Sequence, residues 1–330
     1  MKEKILRIHE KTKEFASKIK DGAANMKPIH TYKHAPKIRS VVNFVIVAVV
    51  LVVAIAELVL GIMLYGFKSE TKFVQDAVKF IPMPVVFSSH GVVTASSYFE
   101  EKNYITHFYT STGEQNIDNS ALSLQILSQL SENNIIADEA IKYKLSVSNK
   151  DVNDAYQSIV DQNGGNESVE KVLNDLYGLD VAQFKKLIRS QLLRDKFNND
   201  MIERVTVRHI LIRVDENATQ EQIDAAKAKV DDVVKQIAGG LDFAEAATKY
   251  SEDVGSNTNG GLLDPFARGD MVTEFEDVAF TQPIGVVSEP FRTSFGWHIL
   301  KVESKTGIID ESFDSWLSGL KNKSIIVNLF

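Results

Sequence analysis

The chain has 330 residues, 44% hydrophobic and 25% charged, close to the average for globular proteins, which excludes a wholly disordered or collagen-like polypeptide. It contains no cysteine, which excludes a disulfide scaffold, a thiolate metal site, a cysteine nucleophile and a lipid anchor on cysteine. The net charge of −7 hides an asymmetry: residues 1–40 carry eleven Lys/Arg against four Asp/Glu, whereas residues 68–330 carry 26 against 39.

From Val41 to Phe67 there is no Lys or Arg and a single acid, Glu57. About 20 apolar residues cross a bilayer core, so this stretch predicts a transmembrane helix over 41–67. The rival reading is a cleaved signal peptide, whose apolar region runs about 7–15 residues after a brief basic start. Here the apolar run is longer and follows a polar tail of forty residues. The positive-inside rule places the basic tail 1–40 in the cytoplasm and everything after Lys68 across the membrane. A single-pass cell-membrane protein with extracytoplasmic main domains follows. Glu57, two-thirds of the way along the span, is either protonated, near the headgroups or paired with another helix. In the tail, Ile5, Ile8, Phe15 and Ile19 have helix-like spacing among lysines, compatible with an amphipathic helix on anionic lipid or with a solvated tail.

Residues 68–83 read as a linker ending at Pro82 and Pro84, and Val85–Val86–Phe87 as a small strand before His90–Gly91. Helical patterns follow. Asn119 to Asn133 carries Leu122, Leu124, Ile126, Leu127 and Leu130, and a second helix lies around Asp138–Lys144. Ser148-x-x-Asp151 resembles a capping box for a helix through Ile159. Glu167–Tyr177 places Val169, Val172, Leu173 and Leu176 on one face, with Gly178 as terminator. Asp180 can cap the next helix, in which Phe184, Leu187, Ile188 and Leu192 have core spacing. Nothing in 68–204 forms a catalytic constellation.

Near residue 204 the pattern changes. Val205–Val214 is strand-like, Thr219-x-x-Gln222 caps a long helix ending at Gly239–Gly240, and Asp242-x-x-Glu245 and Thr273-x-x-Glu276 open two more. Short β-type runs lie at Gly261–Phe266, Val286–Phe291 and Gly296–Val302, so about 100 residues form a compact α+β domain. The tail carries Phe313, Trp316, Leu317 and Leu320 on a helix.

Several stretches of 205–304 match one family in order and spacing: Val207-Arg-His-Ile-Leu-Ile212, Ala246-Ala-Thr-Lys-Tyr-Ser-Glu-Asp253, Gly260-Gly-Leu-Leu263, the run Gly269 to Phe280, Gly285 to Thr293, and Phe295-Gly-Trp-His-Ile-Leu300. This region closely resembles the parvulin family of peptidyl-prolyl cis/trans isomerases. The helical region before it, together with the tail, is similar to the chaperone part of foldases of the SurA, PrsA and PpiD kind, in which the C-terminal segment returns to the helical domain. The expected architecture is α+β: a cytoplasmic tail 1–40, a transmembrane helix 41–67, a helical chaperone-like domain 68–204, a parvulin-like domain 205–304 with a small antiparallel sheet and surrounding helices, and a helical tail 305–330 packing on the helical domain.

The resemblance implies an isomerase site of His209, Asp253, Thr293 and His298 on the catalytic side, with Leu263, Met271 and Phe275 holding the proline. One departure stands out: after the glycine pair the family has an acid-Leu-Gly pattern, whereas this chain reads Leu262-Leu263-Asp264-Pro265. Rotation about an X–Pro amide breaks no bond, so the chemistry needs no metal, cofactor or covalent nucleophile. Met271 and Phe275, four apart on a helix, would grip the pyrrolidine ring together with Leu263. His209, Thr293 and His298 would form a hydrogen-bond network, structural or proton-transferring, and Asp253 would sit near the rotating carbonyl. Read without the family, a Met and a Phe at that spacing are core, two strand histidines are satisfied interior groups, and Asp253 is an exposed acid or a helix-end residue. Two histidines without a third spaced ligand fall short of a zinc site. The loop after the first strand, Arg213 to Glu221, is acidic, which argues against phosphoserine-proline selectivity, and the acidic outer half argues against nucleic acid. Implied partners are unfolded or partly folded exported polypeptides with X–Pro bonds, the membrane and, through Glu57, the export machinery. A non-catalytic holding chaperone and a structural tether are the rival readings.

Overall fold

The computed structural model describes residues 35–329 apart from 115, 216 and 325, so the expectations for the basic tail before Ala35 lie outside the described residues. The chain divides into two compact units between Phe67 and Lys68. In the first, helix α1 (Ala35–Gly61) runs into a π-helical turn, Ile62–Gly66. Val42–Gly66 is long and apolar enough to cross a membrane, and Phe44, Ile46, Val50 and Leu58 are exposed along it.

The second unit begins with a short helix, α2 (Lys72–Ala77), where a linker is expected; Val74 and Val78 are buried and hold it down. Strands β1 (Pro84–Ser88) and β2 (Gly91–Thr94) form a hairpin that turns at Ser89–His90. Thr94 caps α3 (Ala95–Thr112), which ends at Gly113 in the left-handed conformation. No expectation covered this helix. Its sequence is rich in Tyr, Phe, Thr and Ser, and its buried face includes the charged pair Glu101 and Lys102, so its apolar stripe is broken. Lys102 is held by Glu70 at 2.7 and 2.8 Å, and Glu101 accepts hydrogen bonds from Tyr104 and Gln129.

The helices expected at 119–133 and 138–144 are one, α4 (Asn119–Lys142). Ile135, Ile136 and Ala140 are all buried, and their shared contact surface carries the helix through the intervening asparagines. Then come α5 (Asn149–Gln162), α6 (Asn166–Val172) with a π-helical continuation to Tyr177, and α7 (Val181–Met201). Ser148/Asp151 and Asp180/Gln183 both form reciprocal capping boxes.

The region from 204 contains β3 (Arg204–Arg213), α8 (Gln220–Ala238), α9 (Phe243–Tyr250), α10 (Thr273–Thr281), β4 (Phe291–Thr293) and β5 (Gly296–Thr306). The strands form an antiparallel sheet in the order β3–β5–β4. One face packs Ile210, Ile212 and Ile299 on Val230 and Val233 of α8 and Phe243 of α9. The other packs Val205, Val207, Leu300 and Val302 on Phe266 and on Phe275 and Phe280 of α10. Two expected β-runs are reduced to isolated bridges, Leu262 with Arg208 and Phe266 with Val205 in the first and Val287 with Lys301 in the second, whose last residue, Phe291, opens β4. Positive φ at Gly260 and Gly261 and the missing N–H of Pro265 prevent a longer ladder at the first, and Pro290 at the second.

Helix α11 (Phe313–Lys323) packs on α4 and α7, with the Trp316 ring stacked on Phe197 at 4.4 Å. The tail is not wholly helical. Strand β6 (Ile326–Asn328) pairs with β1, giving a second three-stranded sheet, β2–β1–β6.

Candidate active site

Both histidines project from the α10 face of the β3–β5 ladder. The register sets His209 opposite Leu300 and Leu211 opposite His298, so the two rings are diagonal neighbours on one side of the sheet. They stack with centroids 5.7 Å apart, and the edge of Phe275 meets both. Phe291, directly across from His298 in the β4–β5 hairpin, stacks on its other face at 5.4 Å. Gly296 closes that hairpin at φ +145°, where an added Cβ would lie 2.2 Å from the Ile212 carbonyl oxygen. No side chain fits there.

The loop after α9 brings in the acid. His209 Nε2 lies 2.9 Å from Asp253 Oδ2 and 3.0 Å from Ser256 Oγ, while the Ser256 hydroxyl donates to the same carboxylate oxygen at 2.5 Å. The hydrogen-bond pattern therefore puts the His209 proton on Nε2 and leaves the buried Nδ1 without a partner. His298 Nε2 pairs with Thr293 Oγ1 at 2.8 Å, and Thr293 Oγ1 also accepts the Phe295 amide. The expected three-residue network of His209, Thr293 and His298 is thus two separate pairs in ring contact. Each histidine has its own oxygen partner, because diagonal placement on the sheet lets the imidazoles stack and not bond.

Burial lowers the His298 pKa to about 4, with His209 adding in the same direction and Asp253 opposing. Burial also lowers the pKa of His209, against the pull of Asp253. For Asp253 burial acts upward, but the hydrogen bonds from Ser256 and His209 outweigh it and hold the carboxyl below its ordinary value. At neutral pH the site is two neutral imidazoles beside one carboxylate.

An open cavity of about 500 Å³ lies over this floor, lined by His209, Asp253, Leu263, Met271, Phe275 and His298, with Arg213 and Phe295 at its rim. Six of the seven expected residues line it. Thr293 does not, being buried behind His298. Met271 does not share a helix with Phe275, since α10 begins at Thr273. Val272, not Thr273, is the residue before the helix, and the Glu276 carboxylate turns back to accept the Gly269 and Met271 amides at 2.7 and 2.9 Å. That carboxylate is what presents Met271 to the cavity. Leu263 is held by its amide on the Val207 carbonyl and packs on the Phe266–Phe275 cluster, whereas Asp264 and Pro265 are exposed and outside the lining. Sequence reasoning missed Ser256, Glu276 and Phe291. An Asp-x-x-Ser turn at 253–256 is a visible local signal for the first; the other two depend on tertiary placement.

Among the described residues, one group brings three metal-ligand atoms within 4.8 Å, His90, Asp138 and Glu139. Lys142 already bridges its two carboxylates, 3.3 Å from Asp138 and 2.5 Å from Glu139.

An apolar slot facing a carboxylate and two stacked neutral histidines on a small antiparallel sheet defines a parvulin-type peptidyl-prolyl isomerase domain. The family model for the rotamase, PPIC-type PPIase domain matches residues 209–304. Foldase protein PrsA 3 of Bacillus anthracis is 30% identical over 231 residues, covering 69% of this chain and 75% of that protein. The chain belongs to the PrsA family of foldases. The PrsA foldase of Geobacillus sp. (strain WCH70) is 37% identical over 154 residues, 46% of this chain and 50% of that protein. The chaperone SurA of Chromobacterium violaceum is 48% identical over 105 residues, 32% of this chain and 24% of that protein. The matched stretch thus spans a quarter of the SurA relative and half of the Geobacillus one.

Proposed function

We propose that this chain is a membrane-anchored, extracytoplasmic foldase that catalyses cis/trans rotation of X–Pro bonds in exported polypeptides. The observation that carries this reading is the cavity in which Leu263, Met271 and Phe275 face Asp253 and His209. The barrier to rotation, about 18–20 kcal/mol, comes from the double-bond character of the C–N bond. In the twisted state the nitrogen is pyramidal and the carbonyl has lost its resonance, so a catalyst must favour that state over the planar one. Leu263, Met271 and Phe275 grip the pyrrolidine ring while the preceding carbonyl swings past Asp253. The carboxylate, fixed by Ser256 and His209, disfavours the planar amide with its electron-rich oxygen. The stacked histidines, with Thr293 behind them, form a rigid neutral floor. Arg213 is tied to Glu252 by its main-chain N–H and its Nε, 2.7 and 2.9 Å, so the rim offers no basic cluster for a phosphate.

In the same reading, residues 68–204 with 305–330 hold apolar client segments, supported by a groove of about 420 Å³ lined by Ile159, Val172, Leu173, Phe184 and Leu187. The span 41–67 anchors the chain with its basic tail in the cytoplasm, supported by the apolar helix Val42–Gly66 and the charge asymmetry.

Two-dimensional NMR exchange on a short Ala–Pro peptide tests the enzyme reading. The full chain in detergent should accelerate exchange, and Asp253→Ala should lower the rate about tenfold or more, equivalent to about 1.4 kcal/mol of transition-state stabilisation, while peptide binding changes less. A folded chain without acceleration leaves the holding-chaperone reading. Protease added outside intact cells should digest 68–330, and its protection would reverse the orientation.

A further inference from the structure

Just beyond the apolar helix the chain exposes two phenylalanines that nothing in the isomerase reading uses. Phe73 is 66% and Phe80 87% exposed, whereas Val74 and Val78 beside them are buried. The backbone stays helix-like through this stretch: the Val78 amide bonds the Val74 carbonyl, and the Phe80 and Ile81 amides both bond Ala77. Residues seven apart therefore lie on one side, Phe73 with Phe80 and Lys72 with Lys79. Neither ring lines the cavities described above. The charges here are Lys72 and Lys79, which share Asp76 at 4.0 and 2.8 Å, and Glu70, which is engaged by Lys102. One basic charge is left in excess on the turn.

We infer that this turn is an interfacial foot: Phe73 and Phe80 insert among the lipids of the membrane that holds the apolar helix, with Lys72 and Lys79 among the phosphates. The inference rests on the membrane-anchored reading above. The occupant follows from covalent reach. Phe73 is six residues past Phe67, so its ring is tethered within about 20 Å of the end of the span, and every helical residue shortens that distance. Exposed aromatic rings next to lysines on one small amphipathic element, at that distance from a bilayer, match the chemistry of the headgroup–acyl boundary. The foot would give residues 68–330 a second point of attachment to the membrane besides the span.

The absence of cysteine makes the test clean. Phe80→Cys or Phe73→Cys, labelled with the environment-sensitive fluorophore NBD, is placed in the full chain and reconstituted into phosphatidylcholine/phosphatidylglycerol vesicles. Ile141→Cys, at a residue 75% exposed on α4, is the aqueous control. The labels at 73 and 80 should shift to the blue and lose most of their emission when the lipids carry nitroxide quenchers, while the label at 141 does neither. Phe73→Asp in the Phe80→Cys chain should reduce that quenching several-fold without releasing the protein. A chain that resists alkaline carbonate extraction but keeps water-exposed labels at 73 and 80 overturns the foot and leaves the anchor standing. A chain that carbonate removes overturns the anchor and the foot with it. A blue shift without lipid quenching that fades as protein is diluted in lipid assigns the rings to a second copy and overturns the foot.

Discussion

The two three-stranded antiparallel sheets of residues 68–329 are built from the same parts, a local hairpin and one distant strand, and serve different ends. In β3–β5–β4 the distant strand is ten residues long and pairs along its whole length, Arg204 with Thr306 through Arg213 with Gly296. In β2–β1–β6 the distant strand is three residues long and pairs with Val86, Phe87 and Ser88, with the Leu329 amide adding a bond to the Val85 carbonyl. A slip by one residue in a long ladder moves every side chain to the other face, so the first sheet fixes both imidazoles on the one face where they stack. The second places no residue of the candidate site. It ties the end of the chain back to the hairpin at 84–94. Precision in this molecule sits where the long pairing is; the helical part uses apolar packing, which tolerates adjustment.

That contrast can be broken most directly at Trp316. It is buried against Phe197, and Trp316→Ala should cost about 3–5 kcal/mol of stability in the helical part. Thermal unfolding should show it, while X–Pro exchange per folded molecule stays at the wild-type rate. A matching loss of exchange activity would mean that the two sheets act as one unit.

Acid should act on the long-ladder sheet. The His298 pKa falls from its ordinary 6.5 to about 4 on folding. The unfolded chain therefore takes up a proton that the folded chain refuses as pH falls from 6.5 towards 4, and stability declines through that window by about 3 kcal/mol. His209, also lowered, adds in the same direction. Asp253 acts in a lower window, as pH falls below about 3.8, where the unfolded carboxyl protonates first. Urea midpoints between pH 7 and 4 measure the effect, and His298→Gln should flatten the slope. An unchanged slope would mean that the imidazole is already protonated or solvated in the folded protein.

A smaller effect is expected at Ser256, which positions Asp253. Ser256→Ala removes the hydroxyl that donates to Asp253 at 2.5 Å. It should reduce exchange about fivefold, equivalent to about 1 kcal/mol. It should also move the acid limb of the rate–pH profile upward, as the carboxyl loses one of the bonds that lower its pKa. A lower rate with an unmoved profile would assign Ser256 a purely structural role.

The smallest effect belongs to the tail. Lys321 bonds Ser128 at 2.6 Å and Glu132 at 2.9 Å on a half-exposed surface. Lys321→Ala should cost no more than about 1 kcal/mol in a urea titration, since the apolar face of α11 carries the docking. A loss comparable to that at Trp316 would show that the charge cluster, and not the packing, holds the tail.

Local patterns determined much of this protein. The apolar run 41–67, the caps at 148, 180 and 219 and the strand at 205–214 are legible in the chain, because caps and periodicity depend on neighbours a few residues apart; the seven expected site residues come from the family resemblance, and six of them line the cavity. Helix α3 was not legible: its buried face includes Glu101 and Lys102, which are tolerable there because Glu70 and Gln129 supply partners from elsewhere in the chain and Tyr104 from the next turn of the same helix. Strand β6 acquires its conformation from β1, nearly 240 residues away, and a three-residue segment has no propensity strong enough to announce it. At the site, the residue types were local information and their pairing was not. Which oxygen each histidine meets depends on the β3–β5 register and on the loop that carries Asp253 and Ser256. Met271 reaches the cavity because Glu276 holds its amide, a contact formed only once the chain has turned into α10.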